Sequence, residues 1–391
     1  MASEPDGGRL RPSHRRILAL LGRSGPISRA DLGRELGLPK ATVAGLLAEL
    51  VARDLVTEHA AARLGAPGRP GRMVALTGPA TAIGVVSVAG SRLRSAIVTM
   101  TGEPLGRADG TLERATARPE AIAAIQDALG RAAESAGRRI GELSAVVVGV
   151  AAPVSPQRRP AGTTARRWEW IPAWLDGDLA AALGAHLGVE TFVENDANLA
   201  ALGELRHGAG RDRSDVMHLK VGQHSIGLGL VMDGRLVRGT AGLAGELAHV
   251  QVRPDGRVCS CGGRGCLLTT IHQELIELAQ PAYDEPLNFA TVLRLAEGGD
   301  IGLQRMLVDV GRAVGRPLAD LCTLLNPDTI VLDGSVGPAG AHILRGLSET
   351  VERYASPAMA GAVTITLGRL GADAETLGAA ALLHHEWGRT A

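Results

Sequence analysis

An α/β protein opening with a winged helix-turn-helix is the fold class this sequence predicts, and three observations predict it. Three short helical patterns and a hairpin pattern occupy the first residues. Strand patterns alternating with helix patterns fill the remainder. Between the two, Thr77-Gly78-Pro79 breaks the chain. We therefore expect a winged helix-turn-helix DNA-binding domain over 1–78 and a second, larger domain over 79–391.

The charge distribution agrees with this division. The 391 residues carry 41 Lys or Arg against 41 Asp or Glu, yet residues 9–72 hold twelve basic against five acidic side chains. A basic head on a mildly acidic body points to a polyanion as partner of the head alone. No apolar run approaches a membrane span, and residues 1–12 are polar, without the apolar core of a secretory signal. We expect a cytoplasmic protein with no membrane partner.

In the head, Ile17, Leu18, Leu20 and Leu21 recur at helical spacing until Gly25-Pro26. Ser28-x-x-Asp31 reads as a capping box for a second helix burying Ala30, Leu32 and Leu36. Gly37 turns the chain and Pro39 opens a third helix, with Val43, Leu46, Leu47, Leu50 and Val51 as its buried stripe. Lys40, Ala41, Thr42, Ala44 and Gly45 face outward near its start. Two helices joined by a glycine turn, the second presenting small and polar residues, are a helix-turn-helix whose N-terminal residues reach base edges. Residues 55–58 and 73–76 read as a hairpin, and the loop between them, with Arg63, Arg69 and Arg72, is the wing. Lys40, Ala41 and Thr42 are the candidates for the major groove. Arg69 and Arg72 are those for phosphate or the minor groove. The alternative is a three-helix protein-interaction module with a solvated charged face.

Beyond the break, strands are expected at 83–88, 93–100, 145–150, 191–193, 216–221 and 329–332, with a glycine-rich hairpin at 227–237. Helices are expected at 119–136, 175–187, 197–207, 271–279, 291–297 and 303–325. Cys322 falls within the last and reads as a core thiol. The loop 153–174 gathers Trp168, Trp170 and Trp174 with Arg158, Arg159, Arg166 and Arg167. Indoles packed onto the body are the expectation, and a lid or partner surface the alternative.

Three of the four cysteines lie in Cys259-x-Cys261-Gly262-x-x-Gly265-Cys266, ten residues after His249. A Cys3His set is a closed tetrahedral arrangement that holds zinc (Zn2+) for structure rather than chemistry. The alternatives are a disulfide, disfavoured in a reducing compartment, and buried thiols.

Glu194-Asn195-Asp196-Ala197-Asn198, Gly245-Glu246-x-x-His249 and the cysteine run, in that order, resemble the ROK family of sugar kinases and sugar-responsive repressors. The winged head resembles the regulator branch, of xylose and N-acetylglucosamine repressor type. The resemblance implies an actin-like (ribonuclease H-like) body of two lobes with a cleft, usually a homodimer or homotetramer, and zinc on His249, Cys259, Cys261 and Cys266. It also implies that Asp196 matches the family's general base and that Asn195, Glu246 and His249 match sugar-binding positions. Read without the family, Asn195 and Asp196 at a strand-to-helix junction are equally an N-cap pair.

The phosphate-handling runs depart from the family. Ser87-Val88-Ala89-Gly90-Ser91 stands where kinases carry Asp-x-Gly-Gly-Thr, Gln223-His224-Ser225 replaces Gly-Thr-Gly, and Asp333-Gly334 replaces a Gly-Gly pair. Leu268 stands where a sugar-binding glutamate is expected. We expect no phosphorylation of sugar, and a repressor that binds double-stranded DNA at a palindromic operator under a sugar-like effector. A sugar kinase with a vestigial head, and a regulator answering to a protein partner, are the competing readings.

Overall fold

The computed structural model describes residues 10–60, 72–77, 81–155, 171–222 and 225–388. The head consists of α1 (Pro12–Ser24), β1 (Ile27–Ser28), α2 (Arg29–Leu36), α3 (Lys40–Ala52), β2 (Val56–Ala60) and β3 (Arg72–Leu76). Ile17, Leu18, Leu32, Leu47 and Leu50 are fully buried at its centre. The Ser28 hydroxyl accepts the Asp31 N–H at 3.1 Å and donates to the Asp31 carboxylate at 2.6 Å, starting α2. Gly37, at φ 64°, ends α2 in the left-handed region.

Several local expectations need correction. Pro39 is the extended N-cap of α3, not its first helical residue. Ala30 and Val51 are exposed, because Leu32 and the Leu46–Leu47–Leu50 face already fill the small core. The hairpin is a three-stranded sheet in the order β1-β3-β2, since the two residues of β1 pair antiparallel with Met73 and Val74. A two-residue strand has no periodicity to read.

The body contains two five-stranded sheets of one design. The first has the order β6 (Pro104–Thr111), β5 (Arg92–Thr99), β4 (Ala82–Ala89), β7 (Val146–Val150), β8 (Thr191–Asn195). The second has the order β11 (Arg235–Leu236), β10 (Ile226–Met232), β9 (Val216–Val221), β12 (Thr329–Leu332), β13 (Thr364–Leu367). In each, an antiparallel meander is extended by two parallel strands. This duplication is the two-lobed actin-like architecture. Outer faces are covered by α4 (Arg118–Ser135) and α5 (Leu179–Leu187) on the first lobe. Helices Ile301–Leu325 and Gly340–Tyr354 cover the second.

Between the sheets lie α6 (Asp196–His207) and the C-terminal helix (Ala374–Gly388). One continuous core joins Val85 and Val147 of the first lobe, Leu199 of α6, Val216 and Val331 of the second lobe, and Ala379 to Leu383 of the last helix. The leucines of α1 belong to the same core, so the head is packed on the body. Gly22 of α1 lets the His384 ring in: a Cβ there would lie 2.0 Å from its Nε2. Arg15 reaches Glu190 at 3.0 Å, and Trp387 Nε1 donates to the same carboxylate at 3.1 Å. Strand β6, helix Gly340–Tyr354, strand β13 and the C-terminal helix were not foreseen. The edge strand β6 alternates between exposed and half-exposed positions, but its inward positions include Gly106, Ala108 and Gly110, too small to read as an apolar stripe.

The two central helices cross at bare backbone. A Cβ on Gly203 would lie 2.1 Å from the Ala374 carbonyl oxygen, and one on Gly378 would lie 1.7 Å from that of Leu199. Gly378→Ala is therefore expected to destabilise the protein by at least about 2 kcal/mol through overpacking. Denaturant unfolding should show a lower midpoint at unchanged slope. Gly361→Ala, with nothing within 4 Å of the new methyl, is the neutral control.

Candidate functional site

Two sets of side chains converge near the β8–α6 junction, and a third lies on the head. The first set is the cysteine knuckle. Gly262 and Gly265 adopt φ of 88° and 63°, and a Cβ on Gly265 would collide with the Arg253 carbonyl. Bridges Val258↔Arg264 and Gln251↔Cys266 close the turn. His249, Cys259, Cys261 and Cys266 are brought together, with one ligand atom of each within 4.8 Å of the others. Cys259 Sγ lies 3.6 Å from His249 Nδ1, and Cys261 Sγ lies 3.7 Å from Cys266 Sγ. Two sulfurs on one tetrahedral zinc stand about 3.8 Å apart, given Zn–S bonds of about 2.3 Å. The cysteines form no disulfide, and the donor set fits a metal ion.

The second set surrounds Asp196. This residue opens α6, is 6% exposed, and accepts the Ala197 N–H at 2.9 Å on Oδ1. Its Oδ2 accepts from Lys220 Nζ at 2.6 Å. Lys220, on β9, also donates to Glu375 Oε1 at 2.5 Å, and Ser87 Oγ donates to the other oxygen of Glu375. Burial pushes Asp196 above the usual carboxylate range, against the pull of Lys220. Burial also opposes charge on Lys220, but Asp196 and Glu375 overcome it and hold the ammonium well above the ordinary lysine range.

Asn195 caps α6: its Oδ1 accepts the Asn198 N–H at 3.1 Å, and its Nδ2 donates to the Ala152 carbonyl at 3.1 Å. Glu194 is engaged by Arg238 Nε at 2.7 Å and Asn198 Nδ2 at 2.9 Å, while Arg238 NH2 donates to Glu386 at 3.1 Å. Glu246 precedes the short helical turn that carries His249. Burial, reinforced by the Asp196 charge, lifts Glu246 to about 7. Leu268 packs half-buried at the rim of the second lobe's core.

Sequence reasoning missed Lys220, Arg238 and Glu375. Lys220 left a signal: it is the sole cation in the buried strand Val216–Val221, where an ionised side chain needs a partner. Glu375 lies in a helix the sequence reading did not foresee.

On the head, Lys40, Ala41, Thr42, Ala44 and Gly45 are all exposed along the start of α3. Arg72 is not in the loop but begins β3, where NH1 donates to Glu58 at 3.0 Å. Glu58 also takes Arg29, so Arg72 is anchored at the base of the wing. Arg63 and Arg69, the arginines 158–167, Trp168, Trp170, Gln223 and His224 lie outside the described residues. Trp174, 1% exposed, is packed into the first lobe as expected.

The family model described as ROK family matches residues 84–386. The chain belongs to the ROK family. A second model, MarR family, matches residues 10–63 of the head. Among relatives, the DNA-binding transcriptional repressor Mlc of Escherichia coli is 25% identical over 88% of this chain and 85% of its own. A glucokinase of Thermotoga maritima is 30% identical over 56% of this chain and 73% of its own. A solved ROK family transcriptional regulator, described as a homolog of E. coli Mlc, superposes with a TM-score of 0.78 at 22% identity over 96% of both chains. Head and body thus share the fold of a solved ROK regulator. No helix among the described residues is long and apolar enough to cross a membrane.

Removing the cation from the Asp196 cluster strands two carboxylates. Lys220→Met is expected to cost about 3–5 kcal/mol, and adding Asp196→Asn should recover part of it. In the single variant Asp196 loses its main opposing influence while burial and Glu375 still raise it. The folded state then holds a proton that the unfolded state releases, so stability falls as pH rises above the ordinary aspartate range. Unfolding at a series of pH values reads both effects.

Proposed function

We propose that this ROK protein is a DNA-binding transcriptional repressor whose body receives a sugar-like effector, and that it does not phosphorylate sugar. Residues 1–78 are taken as the DNA-binding domain and 79–391 as the ROK domain. The observation that carries the reading is the pairing of an exposed recognition-helix start with an Asp196 already engaged by a lysine. A general base must be free to take a hydroxyl proton, and here Oδ2 is bound to an ammonium. Ser87 offers a hydroxyl, not a carboxylate, at the first phosphate loop, and gives it to Glu375. Mlc, which matches head and body together, is itself a transcriptional repressor.

Lys40, Ala41 and Thr42 are assigned to the major groove, and Arg69 and Arg72 to the backbone beside it. A homodimer would place two such helices on a palindromic operator; a homotetramer is also compatible with the reading. Glu194, Asp196, Glu246, Glu375 and Glu386 outnumber Lys220 and Arg238 around the junction, an excess of acceptors suited to a hydroxyl-rich, uncharged ligand. Asn195, Asp196, Glu246 and His249 are the effector candidates, with Leu268 as an apolar neighbour. His249, Cys259, Cys261 and Cys266 would hold one zinc ion, which supplies structure rather than chemistry.

Footprinting on genomic DNA should reveal discrete palindromic sites that one member of a sugar panel releases. Absence of discrete sites would sink the regulator reading. Replacing Arg69 and Arg72 together by alanine should weaken binding to all sequences and reduce the salt slope by about 0.9 for each phosphate that is no longer neutralised. An unchanged slope would remove the wing assignment.

Native mass spectrometry should find one zinc per chain, lost on Cys261→Ser along with thermal stability. A full-length protein that is equally stable and metal-free would refute the zinc assignment. The second reading, a sugar kinase with a vestigial head, is favoured by the glucokinase relative and by the presence of Asp196. Sugar-dependent ATP turnover abolished by Asp196→Asn would establish it.

A further inference from the structure

We propose that Lys220 and Glu375 are positioning residues through which the state of the cleft reaches the DNA-binding head. The inference rests on the repressor reading and specifies how its two halves communicate.

The C-terminal helix is tied to the Glu194–Asp196 segment at both ends, each time through a cation of the second lobe. At its first turn, Lys220 of β9 bridges Asp196 at 2.6 Å and Glu375 at 2.5 Å. At its last turn, Arg238 bridges Glu194 at 2.7 Å and Glu386 at 3.1 Å. Next to Glu386, Trp387 shares Glu190 with Arg15 of α1, and His384 lies against Gly22 of α1. From Glu375 to Trp387 a helix runs about 18 Å. The same rigid element thus reaches the proposed effector carboxylate through Lys220 at one end and touches the head at the other.

The residue types fit a two-state contact. Only two of the 41 basic residues are lysine, Lys40 and Lys220. An ammonium is a point charge that can trade one carboxylate for another without the fixed fork of arginine. A hydroxyl-rich ligand that takes Asp196 as its acceptor competes with Lys220. Lys220 then shifts its weight to Glu375, and the helix responds as a body because its crossing with α6 is bare backbone at Gly203 and Gly378. Coupling of this kind is reciprocal: DNA bound to the head must act on Lys220.

The paucity of lysine makes the test direct. The full-length protein, with lysine isotope-labelled at Cε, gives two resonances, one from α3 and one from the cleft. The probe is an operator fragment recovered from genomic DNA by the wild-type protein. Operator is expected to move both resonances in the wild type. In Glu375→Gln at saturating operator the Lys220 resonance should no longer respond, while the Lys40 resonance of the head still does. Glu375→Asp, which keeps the carboxylate, should restore the response. A purely structural role for Glu375 would lower thermal stability and leave the DNA-dependent shift in place, which overturns the proposal. A wild-type Lys220 resonance that ignores operator overturns it too, with DNA recognition intact. Failure to recover any operator fragment is the distinct outcome that removes the repressor reading itself.

Discussion

The crossing of α6 with the C-terminal helix is the constraint on which the rest of this structure depends. Both helices lie between the two sheets, so both lobes must pack against them at once. Their backbones approach so closely at Gly203 and Gly378 that no Cβ fits on either. A parallel device recurs in the second lobe, where Gly311 and Gly346 bring Ile301–Leu325 onto Gly340–Tyr354. Close-packed backbone leaves little room for sliding, because interiors have the density of organic crystals. Movement of one central helix therefore entails movement of the other, and Asp196 and Glu375 sit on the first turns of the two.

Much of this organisation was legible beforehand. The head could be read because its helices carry their own punctuation: Gly25-Pro26, Ser28 with Asp31, and Gly37 mark ends that later proved to be caps and turns. The central strands were equally clear, since β7 and β12 are buried along their whole length and read as unbroken apolar runs. The knuckle announced itself by the types and spacing of its donors. What escaped notice has a physical reason too. The C-terminal helix is rich in alanine and is buried on several sides, so it shows little amphipathic contrast. Strand β1 is too short, and the inward side of β6 too rich in glycine and alanine, to show a readable apolar period of two.

The candidate site was legible by residue but not by relation. Asn195, Asp196, Glu246 and His249 were each identified, yet nothing local in the sequence says that a lysine 24 positions on reaches Asp196, or that a glutamate 155 positions beyond that lysine completes the bridge. Such pairings come from topology. Parallel strands β8 and β4 set the end of the first sheet beside Ser87, while β9 delivers Lys220 from the other lobe. The N-cap reading of Asn195 and the ligand reading are also not exclusive. A residue whose Oδ1 and Nδ2 both hold backbone fixes the junction on which Asp196 is presented.

The knuckle bears on the same junction through Glu246, whose buried carboxyl feels the charge of Asp196. Glu246 and His249 belong to one tight turn, in which the His249 N–H donates to the Glu246 carbonyl at 3.1 Å. Nδ1 of His249 is turned toward Cys259, so whatever fixes the thiols fixes the imidazole, and with it the backbone that presents Glu246. Gly245 closes the arrangement: at φ 88° it lies against the Leu228 carbonyl of β10, where any side chain would collide. The Glu246 carboxylate is thus held between a strand of the second lobe and a metal-type cluster. A closed Cys3His set would then do more than close its own turn: it would hold a buried glutamate in place against the cost of its desolvation.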